Sequence, residues 1–538
     1  MIRPARSTSG RTEDWFLTAQ ERGNAATSLA AWYAGNYAEA LVHGATYFDR
    51  LVDKVSALRA GDHLFFTGWR GDRSQHLRPG GPTLGELFGG AAARGVVVKG
   101  LVWRSYLGRL RVPEKLNRRL KEVIEAAGGE VLLDQRVRVG GSHHQKLVVL
   151  RHPGQPDRDV AFAGGIDLSH SRRDGAHHRG DPQRVAMSPA YGRRPPWHDV
   201  QLEVRGPAVG ALDTVFRERW EDCRRAGRRT PRALLRSWLA GGGPAAGRLP
   251  ARPADPPVCG THAVQVLRTY PVKRVPYHFA PDGERSIARG YTKVVRRARR
   301  LIYIEDQYLW SAEVARLFAA ALRDNPDLHL VIVLPRHPDL HGSFVQPPNI
   351  VGRAMAIDVC RQAGGGRVHC FDVENHDSVP VYVHAKVCVV DDVWASVGSD
   401  NFNRRSWTHD SELCCAVLDG TRDPREPTDP AGLGDGARHF ARELRLRLWR
   451  EHLDRAPDGS EDADLLDPES AVRAITASAE ALEAWHAGGR AGPRPPGRLR
   501  PHRPKRPNLL TGLWAIPVYR LVYDPDGRPW RMRRREGW

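Results

Sequence analysis

Five short strings occur twice, in the same order, along this 538-residue chain. Leu64-Phe65-Phe66-Thr67 returns as Leu301-Ile302-Tyr303-Ile304, each after a helix-like stretch, Ala45 to Leu58 and Ile287 to Ala298. Val96 to Val102 returns as Leu328 to Leu334, a second apolar run of buried-strand length. His144-Gln145-Lys146-Leu147-Val148-Val149 returns as His384-Ala385-Lys386-Val387-Cys388-Val389. Ala163-Gly164-Gly165-Ile166-Asp167-Leu168 returns as Val397-Gly398-Ser399-Asp400-Asn401-Phe402, and His198-Asp199-Val200-Gln201-Leu202 as His409-Asp410-Ser411-Glu412-Leu413. Order repeated at this length means a duplicated α/β unit. Strands that alternate with helices predict mixed, largely parallel sheets with helices on both faces.

The seam between the copies is the Pro/Gly/Arg-rich stretch from Arg224 to Pro257, interrupted by a short helix around Leu234 to Leu239. A second such stretch, Gly488 to Pro507, releases a tail in which Leu509 to Tyr523 reads as a short hairpin or strand. The expected units are therefore an extension over 1–40, a first repeat over 41–225, a linker over 226–258, a second repeat over 259–455, and a C-terminal segment over 456–538. Between Leu168 and His198 the first copy carries a polar insertion rich in His and Arg, where the second needs only Asn403 to Thr408. A loop of that length beside a site is expected to form its rim or lid. Its histidines, His170, His177 and His178, show no clean ligand spacing and read as solvated.

Residues i and i+2 of a strand share a face, so His144 stands beside Lys146 and His384 beside Lys386. A pseudo-twofold between the copies would bring both couples to one cavity. Two imidazoles and two ammonium groups there suit a phosphodiester: the cations hold the non-bridging oxygens and stabilise charge developing on phosphorus. One neutral imidazole attacks phosphorus, while the other donates a proton to the leaving oxygen and then activates water or an alcohol. Each ring needs a partner that sets its tautomer, and Asp199 and Asp410 stand at equivalent positions to serve, with Glu412 the alternative in the second copy. Gly165, Asp167, Ser399 and Asn401 are candidates for contact with the phosphate. Trp69, Trp103, Tyr308 and Trp310 follow strand ends where the mouth should lie. Lysine supplies the charge that a metal otherwise would, so the scheme calls for no metal and no cofactor.

The string His384-Ala385-Lys386-Val387-Cys388-Val389-Val390-Asp391, followed by Gly398-Ser399-Asp400-Asn401, resembles the H-x-K-x₄-D and G-S-x-N motif of the phospholipase D superfamily. His143 to Lys146, Gly164 to Leu168 and Pro196 to Asp199 resemble the first motif of the eukaryotic and plant types, and Ile302 to Tyr308 is similar to a segment before their second motif. The resemblance covers roughly residues 40–450. It implies a duplicated phospholipase D-like α/β/α sandwich with one site between the halves, a covalent phosphohistidine, and hydrolysis or transphosphatidylation of glycerophospholipids. By the same analogy His144 is the nucleophile and His384 the acid. Arg151 departs from the pattern, standing where the first motif should carry its Asp. Strand parity puts that position off the His144–Lys146 face, so this Asp, like Asp391, is read as a strand-end support, with Asp157 or Asp159 to compensate. The rival readings are a phosphatidyl transferase such as a cardiolipin synthase, a nuclease-like phosphodiesterase, and an inactive anion- or lipid-binding homologue.

Net charge of +20 gathers polyanions, and the same Arg, Ala, Gly and Pro enrichment is what a GC-rich coding sequence produces. The expected partner is a phospholipid surface, met peripherally, with water or an alcohol as acceptor; nucleic acid is the less favoured polyanion. Arg498 to Arg506 and Arg531 to Arg535 are the densest basic runs. No apolar run follows the basic N-terminus and none reaches membrane-spanning length, so a cytoplasmic protein, peripheral to the inner face of the membrane, is expected. Seven cysteines without C-x-x-C spacing fit reduced thiols there. A duplicated chain supplies both half-sites, so a monomer is expected.

Overall fold

Both copies of the repeat build the same sheet in the computed structural model, which describes residues 11–105, 112–226, 247–339, 345–533 and 537–538. The first contributes β1 (Tyr33–Val42), β2 (His63–Gly68), β3 (Val97–Trp103), β4 (Glu130–Asp134), β5 (Leu147–Arg151), β6 (Val160–Gly164), β7 (Trp197–His198) and β8 (Val200–Arg205). The second contributes β9 (His262–Tyr270), β10 (Glu284–Arg285), β11 (Leu301–Glu305), β12 (His329–Val333), β13 (Val368–Val373), β14 (Tyr382–Val383), β15 (Val387–Val390), β16 (Trp394–Gly398) and β17 (Glu412–Asp419), to which β18 (Leu499–Pro501) is added. The order β1-β8-β6-β5-β2-β3-β4 is matched, position for position, by β9-β17-β16-β15-β11-β12-β13.

The sheet is mixed, as expected, and its parallel part is confined to two units, β2-β3-β4 and β11-β12-β13. There the chain crosses over through helices Leu84–Ala93, Val112–Ala126, Ala312–Asp324 and Gln346–Gly364, because parallel neighbours cannot be joined by a tight turn. The strands that carry the motifs are antiparallel: β5 with β2 and β6, and β15 with β11 and β16. The copies meet where β1 pairs with β9, Tyr33 opposite Val264 and Asn36 opposite His262, which makes one 16-stranded sheet, with β7 and β14 outside it as a separate two-stranded parallel sheet.

Alternation along the strands then sorts the side chains. Leu147, Val149, Ala161 and Ala163 join Val387, Val389, Ala395 and Val397 in one buried cluster shared by both copies. Val148, Leu150 and Phe162 turn the other way, onto helices Gly44–Ser56 and Leu84–Ala93, and Cys388, Val390 and Trp394 turn onto Ser286–Arg297 and Ala312–Asp324. Helices Ala208–Ala226 and His439–His452 cover the central face, so each copy's part of the sheet has helices on both sides. A buried Val or Leu is worth about 1.5–3 kcal/mol, and the shared cluster is what holds the copies face to face.

Two expectations change, and a third falls outside the described residues. The first sheet begins at Tyr33, inside the stretch expected as an extension, and Trp15, Phe16 and Leu17 ahead of it are buried in the core of the second copy. Leu509 to Tyr523 is helical, Leu509–Val518 running into a wider turn at Tyr519–Tyr523, rather than a hairpin or strand. Asn508 caps it by accepting from the Thr511 N–H, and Ala515 and Tyr519, one turn apart, are its buried residues, Tyr519 lying against Gly352. The helix expected around Leu234 to Leu239 lies outside the described residues.

Arg151 is fully buried between two carboxylates, Asp159 at 2.6 Å and Asp213 at 3.0 Å, and donates to the carbonyls of Pro253 and Ala254. Its counterpart Asp391 instead accepts the N–H groups of Arg299, Arg300 and Leu301 at 2.7–2.8 Å. One corner of the repeat is thus closed by a cation in one copy and by an anion in the other. Arg151→Ala strands two buried carboxylates and is expected to cost about 3–5 kcal/mol, read as a lower urea midpoint. Arg151→Asp, which writes the missing motif residue back in, is expected to destabilise further. A wild-type midpoint in both would show that the buried triad contributes nothing.

Candidate active site

Each H-x-K string enters its strand by hydrogen-bonding to the opposite copy. The His144 N–H donates to the Ser411 carbonyl at 2.9 Å, and His143 bridges to Ser411. Reciprocally, the His384 N–H donates to the His198 carbonyl at 2.8 Å, and β14 pairs in parallel with β7. These backbone bonds put both couples at the one seam. Their charges meet there: burial holds both imidazoles well below the usual histidine range, aided at His144 by Lys146 and Lys386 and at His384 by Lys386, Arg172 and Lys146.

The ring partners also come from the opposite copy. His384 Nδ1 lies 2.6 Å from Asp199 Oδ2, and His144 Nδ1 lies 2.9 Å from Glu412 Oε2. An Nδ1–H donated to a carboxylate leaves Nε2 free to act as a lone pair or a proton donor. The expectation that Asp410 would mirror Asp199 is corrected: Asp410 accepts from the Ser142 backbone and hydroxyl and pairs with Arg405 at 2.9 Å, and the carboxylate two residues on reaches the ring. Val200 N–H and Trp197 Nε1–H fix Asp199 at 2.9 and 3.4 Å. Gly165 is required beside it, since a Cβ there would lie 2.1 Å from Asp199 Oδ1.

Two further assignments move. Asp167 lies 3.4 Å from Lys146 Nζ and accepts from the Arg70 N–H, so it steadies the lysine; a carboxylate so placed would repel a phosphate. Ser399 donates to Glu412 Oε2 at 2.5 Å and accepts from the Leu413 N–H, so its hydroxyl orients Glu412. Asn401 is buried with its Oδ1 unpaired. Lys146 donates to the His144 carbonyl at 3.0 Å, and Lys386 to the His384 carbonyl and to Gln307 Oε1 at 3.1 Å. Burial brings Lys386 down to about 8.

Around the rings, Trp69 presents an edge to His144 at 6.3 Å and stacks on Trp103, while Trp197 lies 5.0 Å from His384 under the Arg172 guanidinium, 3.9 Å away. Tyr308 and Trp310 stack on each other, and the Trp310 carbonyl accepts from Tyr519 of the tail helix. The insertion reaches the site through Arg172 and is not simply solvated: Arg172 and His178 are buried, and His177 and Arg179 are exposed. Gln307, Trp197 and Arg172 were not foreseen as site residues. Gln307 had a signal, its place two residues beyond the strand that pairs with the second motif.

The family model described as Phospholipase D matches residues 67–235 and 369–488, and one described as Cardiolipin synthase, PLD-like domain matches residues 292–422. Phospholipase D1 of Schizosaccharomyces pombe is 25% identical over 393 residues, 58% of this chain and 27% of its own length. Phospholipase D alpha 2 of Oryza sativa subsp. japonica is 25% identical over 549 residues, 78% of this chain and 64% of its own. The chain thus spans less than two thirds of these relatives. A solved phosphatidylserine synthase of Haemophilus influenzae Rd KW20 is similar at 13% identity and a TM-score of 0.45, over 71% of this chain and 82% of that one.

Glu412 must be ionised to accept from Nδ1–H and leave Nε2 of His144 bare, yet burial and then the Asp410 charge push it up to about 8. Turnover of a soluble phosphodiester is therefore expected to rise with pH toward that value and to fall beyond it as Lys386, also near 8, loses its charge. Glu412→Gln is expected to lower turnover by about 10²-fold and to abolish the rising limb. Asp410→Asn removes a charge that opposes ionisation, and so should move the limb to lower pH at a cost below about tenfold. A limb unmoved by either change would exclude Glu412 as the titrating group.

Proposed function

Because the chain belongs to the phospholipase D superfamily, we propose that it cleaves the phosphodiester of glycerophospholipids through a covalent phosphohistidine, passing the phosphatidyl group to water or to an alcohol. The observation that carries this reading is the exchange of carboxylates between copies, Glu412 to His144 and Asp199 to His384. It supports reading the two rings as the two ends of one site. In the first step Nε2 of His144 attacks phosphorus while the bond to the head-group oxygen breaks. His384 gives that oxygen its Nε2 proton, and Asp199 stabilises the imidazolium beforehand. In the second step neutral His384 takes a proton from water or alcohol, the new oxygen attacks, and the phosphorus–nitrogen bond returns its electrons to His144.

The depressed imidazoles fit this sequence. Two buried ammonium groups keep both rings unprotonated until an anionic phosphodiester offsets that charge, so His384 becomes an acid only with substrate present. Lys146, Lys386 and the Asn401 amide are the groups assigned to the non-bridging oxygens. His144, the more open ring at 15% side-chain exposure against 5% for His384, is the assigned nucleophile.

The tail supports contact with a lipid surface. Leu509, Leu510 and Leu513 stand 91, 79 and 74% exposed on helix Leu509–Val518, and Leu521 and Val522 follow. Arg405 donates to the Val522 carbonyl and Arg404 pairs with Asp524, which fastens this apolar tip beside the Asn401 turn. No helix of the described residues is long and apolar enough to cross a membrane. Insertion of exposed leucines at the interface is the mode such a helix allows.

Incubation with phosphatidylcholine vesicles and ethanol tests the reaction. Phosphatidic acid and phosphatidylethanol are expected together, the ratio giving hydrolysis against transfer, with DNA as the alternative substrate. His144→Ala should abolish both products, and Lys146→Ala or Lys386→Ala should each cost roughly 3 kcal/mol of barrier. Equal turnover in wild type and His144→Ala would end the catalytic reading. Replacing Leu509, Leu510 and Leu513 by Ser should reduce vesicle turnover more than about tenfold while sparing a soluble short-chain substrate, since each leucine gives up about 1.5–3 kcal/mol of burial. Equal losses on both substrates would remove the tail from membrane contact.

A further inference from the structure

Immediately behind Asp199, four buried or nearly buried side chains that the catalytic scheme leaves unused converge from separate parts of the chain. They are His43 at the head of helix Gly44–Ser56, His178 of the insertion, His198 of β7, and Glu451 in the last turn of helix His439–His452. One ligand-type atom from each lies within 4.8 Å of the others. His43 and His178 hold positive φ, 71° and 49°, unusual for residues with a Cβ. The backbone bends out of its ordinary range at two places to deliver rings to one point.

The nitrogens are sorted as well. His178 Nδ1 faces the Trp197 carbonyl at 3.2 Å, and His198 Nε2 faces Glu305 at 2.6 Å, a carboxylate also contacted by His452 Nε2 at 2.8 Å. With those protons committed outward, the nitrogens left for a ligand role are His178 Nε2 and His198 Nδ1, which lie 2.9 and 3.6 Å from Glu451 Oε1; His43 Nε2 lies 2.6 Å from Glu451 Oε2. His198 Nδ1 is buried and has no hydrogen-bond partner. A tetrahedron of ligands about 2.0–2.1 Å from zinc has edges of roughly 3.3 Å; the imidazole nitrogens stand 2.6–3.6 Å from one or other oxygen of Glu451, with the four ligand atoms inside 4.8 Å of one another. Burial keeps His43 and His178 in the neutral form, and Glu451 lies well below the usual carboxylate range.

We propose that His43, His178, His198 and Glu451 bind one divalent transition-metal ion, Zn²⁺ by ligand chemistry, as a closed structural site. Three imidazoles and a carboxylate complete four-coordination from the chain itself, and Glu305 and the Trp197 carbonyl are the outer partners such ligands ordinarily have. The ion would pin the first-copy insertion to the second-copy helix and to β7, which Asp199 follows directly, so it positions the His384 partner. No step of phosphoryl transfer runs through it, and the inference stands independently of the lipid reading.

The full-length chain, stripped with a strong chelator and checked by circular dichroism, would be titrated with Co²⁺ and then Zn²⁺. One equivalent of Co²⁺ is expected, with the visible absorption of four-coordinate cobalt, displaced by Zn²⁺ and accompanied by a higher melting temperature. His178→Ala and Glu451→Gln should each weaken binding at least about tenfold, whereas His177→Ala, exposed in the same loop, should not. Absence of stoichiometric uptake by folded wild-type protein overturns the proposal, as does uptake unchanged in both ligand variants. Should the variants fail to fold, the wild-type cobalt spectrum decides alone: a six-coordinate spectrum, or one without imidazole ligands, also overturns it. None of these readings uses lipid turnover, so their failure is separable from failure of the catalytic scheme.

Discussion

Everything that makes one site out of two copies depends on carboxylate–imidazole bonds that cross between them. A ring whose Nδ1–H is held by a buried carboxylate has its other nitrogen presented as a lone pair or a proton, as the chemistry requires. Because Glu412 serves His144 and Asp199 serves His384, neither copy carries a finished half of the machinery. The backbone exchange at Ser411 and His198 makes the crossing rigid. Separation of the copies would cost both rings their partners together, which ties the integrity of the shared core to the chemistry.

Within this symmetry the copies have diverged where symmetry is not needed. Gln201 occupies the position of Glu412, and its side-chain oxygen accepts from the Ile166 N–H in place of a ring. Orienting duty has moved to Asp199 in one copy and stayed two residues later in the other. Arg151 and Asp391 close the same strand corner with opposite charge, each fully satisfied by local partners. Loss of the motif Asp from the first copy is therefore a change in how a strand end is held and leaves His144 and Lys146 in place. The insertion follows the same logic: it adds Arg172 over Trp197 and His178 behind Asp199, both on the first-copy side.

The burial that tunes the site also decides what else sits there. Both imidazoles and Lys386 are pushed toward neutrality by burial, while the network around Glu451 and Glu305 keeps its charge because each carboxylate faces several imidazoles. Against its burial, Glu305 and Glu451 raise His198 to about 10, so an ion bound there would displace the proton on its Nδ1. The backbone thus separates His198, in that charged cluster, from Asp199, in the neutral-leaning active site, by a single residue.

Local order was legible in the chain: the duplication, the strands around Leu64, Val98, Ile302 and Leu330, the side-by-side His and Lys of each couple, and the strand-end role of Asp391 all follow from spacing within a few residues. Period-two alternation and repeated order carry that information without reference to anything distant. The partner of each ring could not be read this way, since Glu412 and Asp199 lie 268 and 185 residues from the histidines they hold. Equivalence within the repeat pointed to Asp410, and only the packing of the two copies set the carboxylate two residues on against His144. The turning inward of His178 and the helix at Leu509–Val518 belong to the same class, because each is settled by a surface that a remote segment supplies.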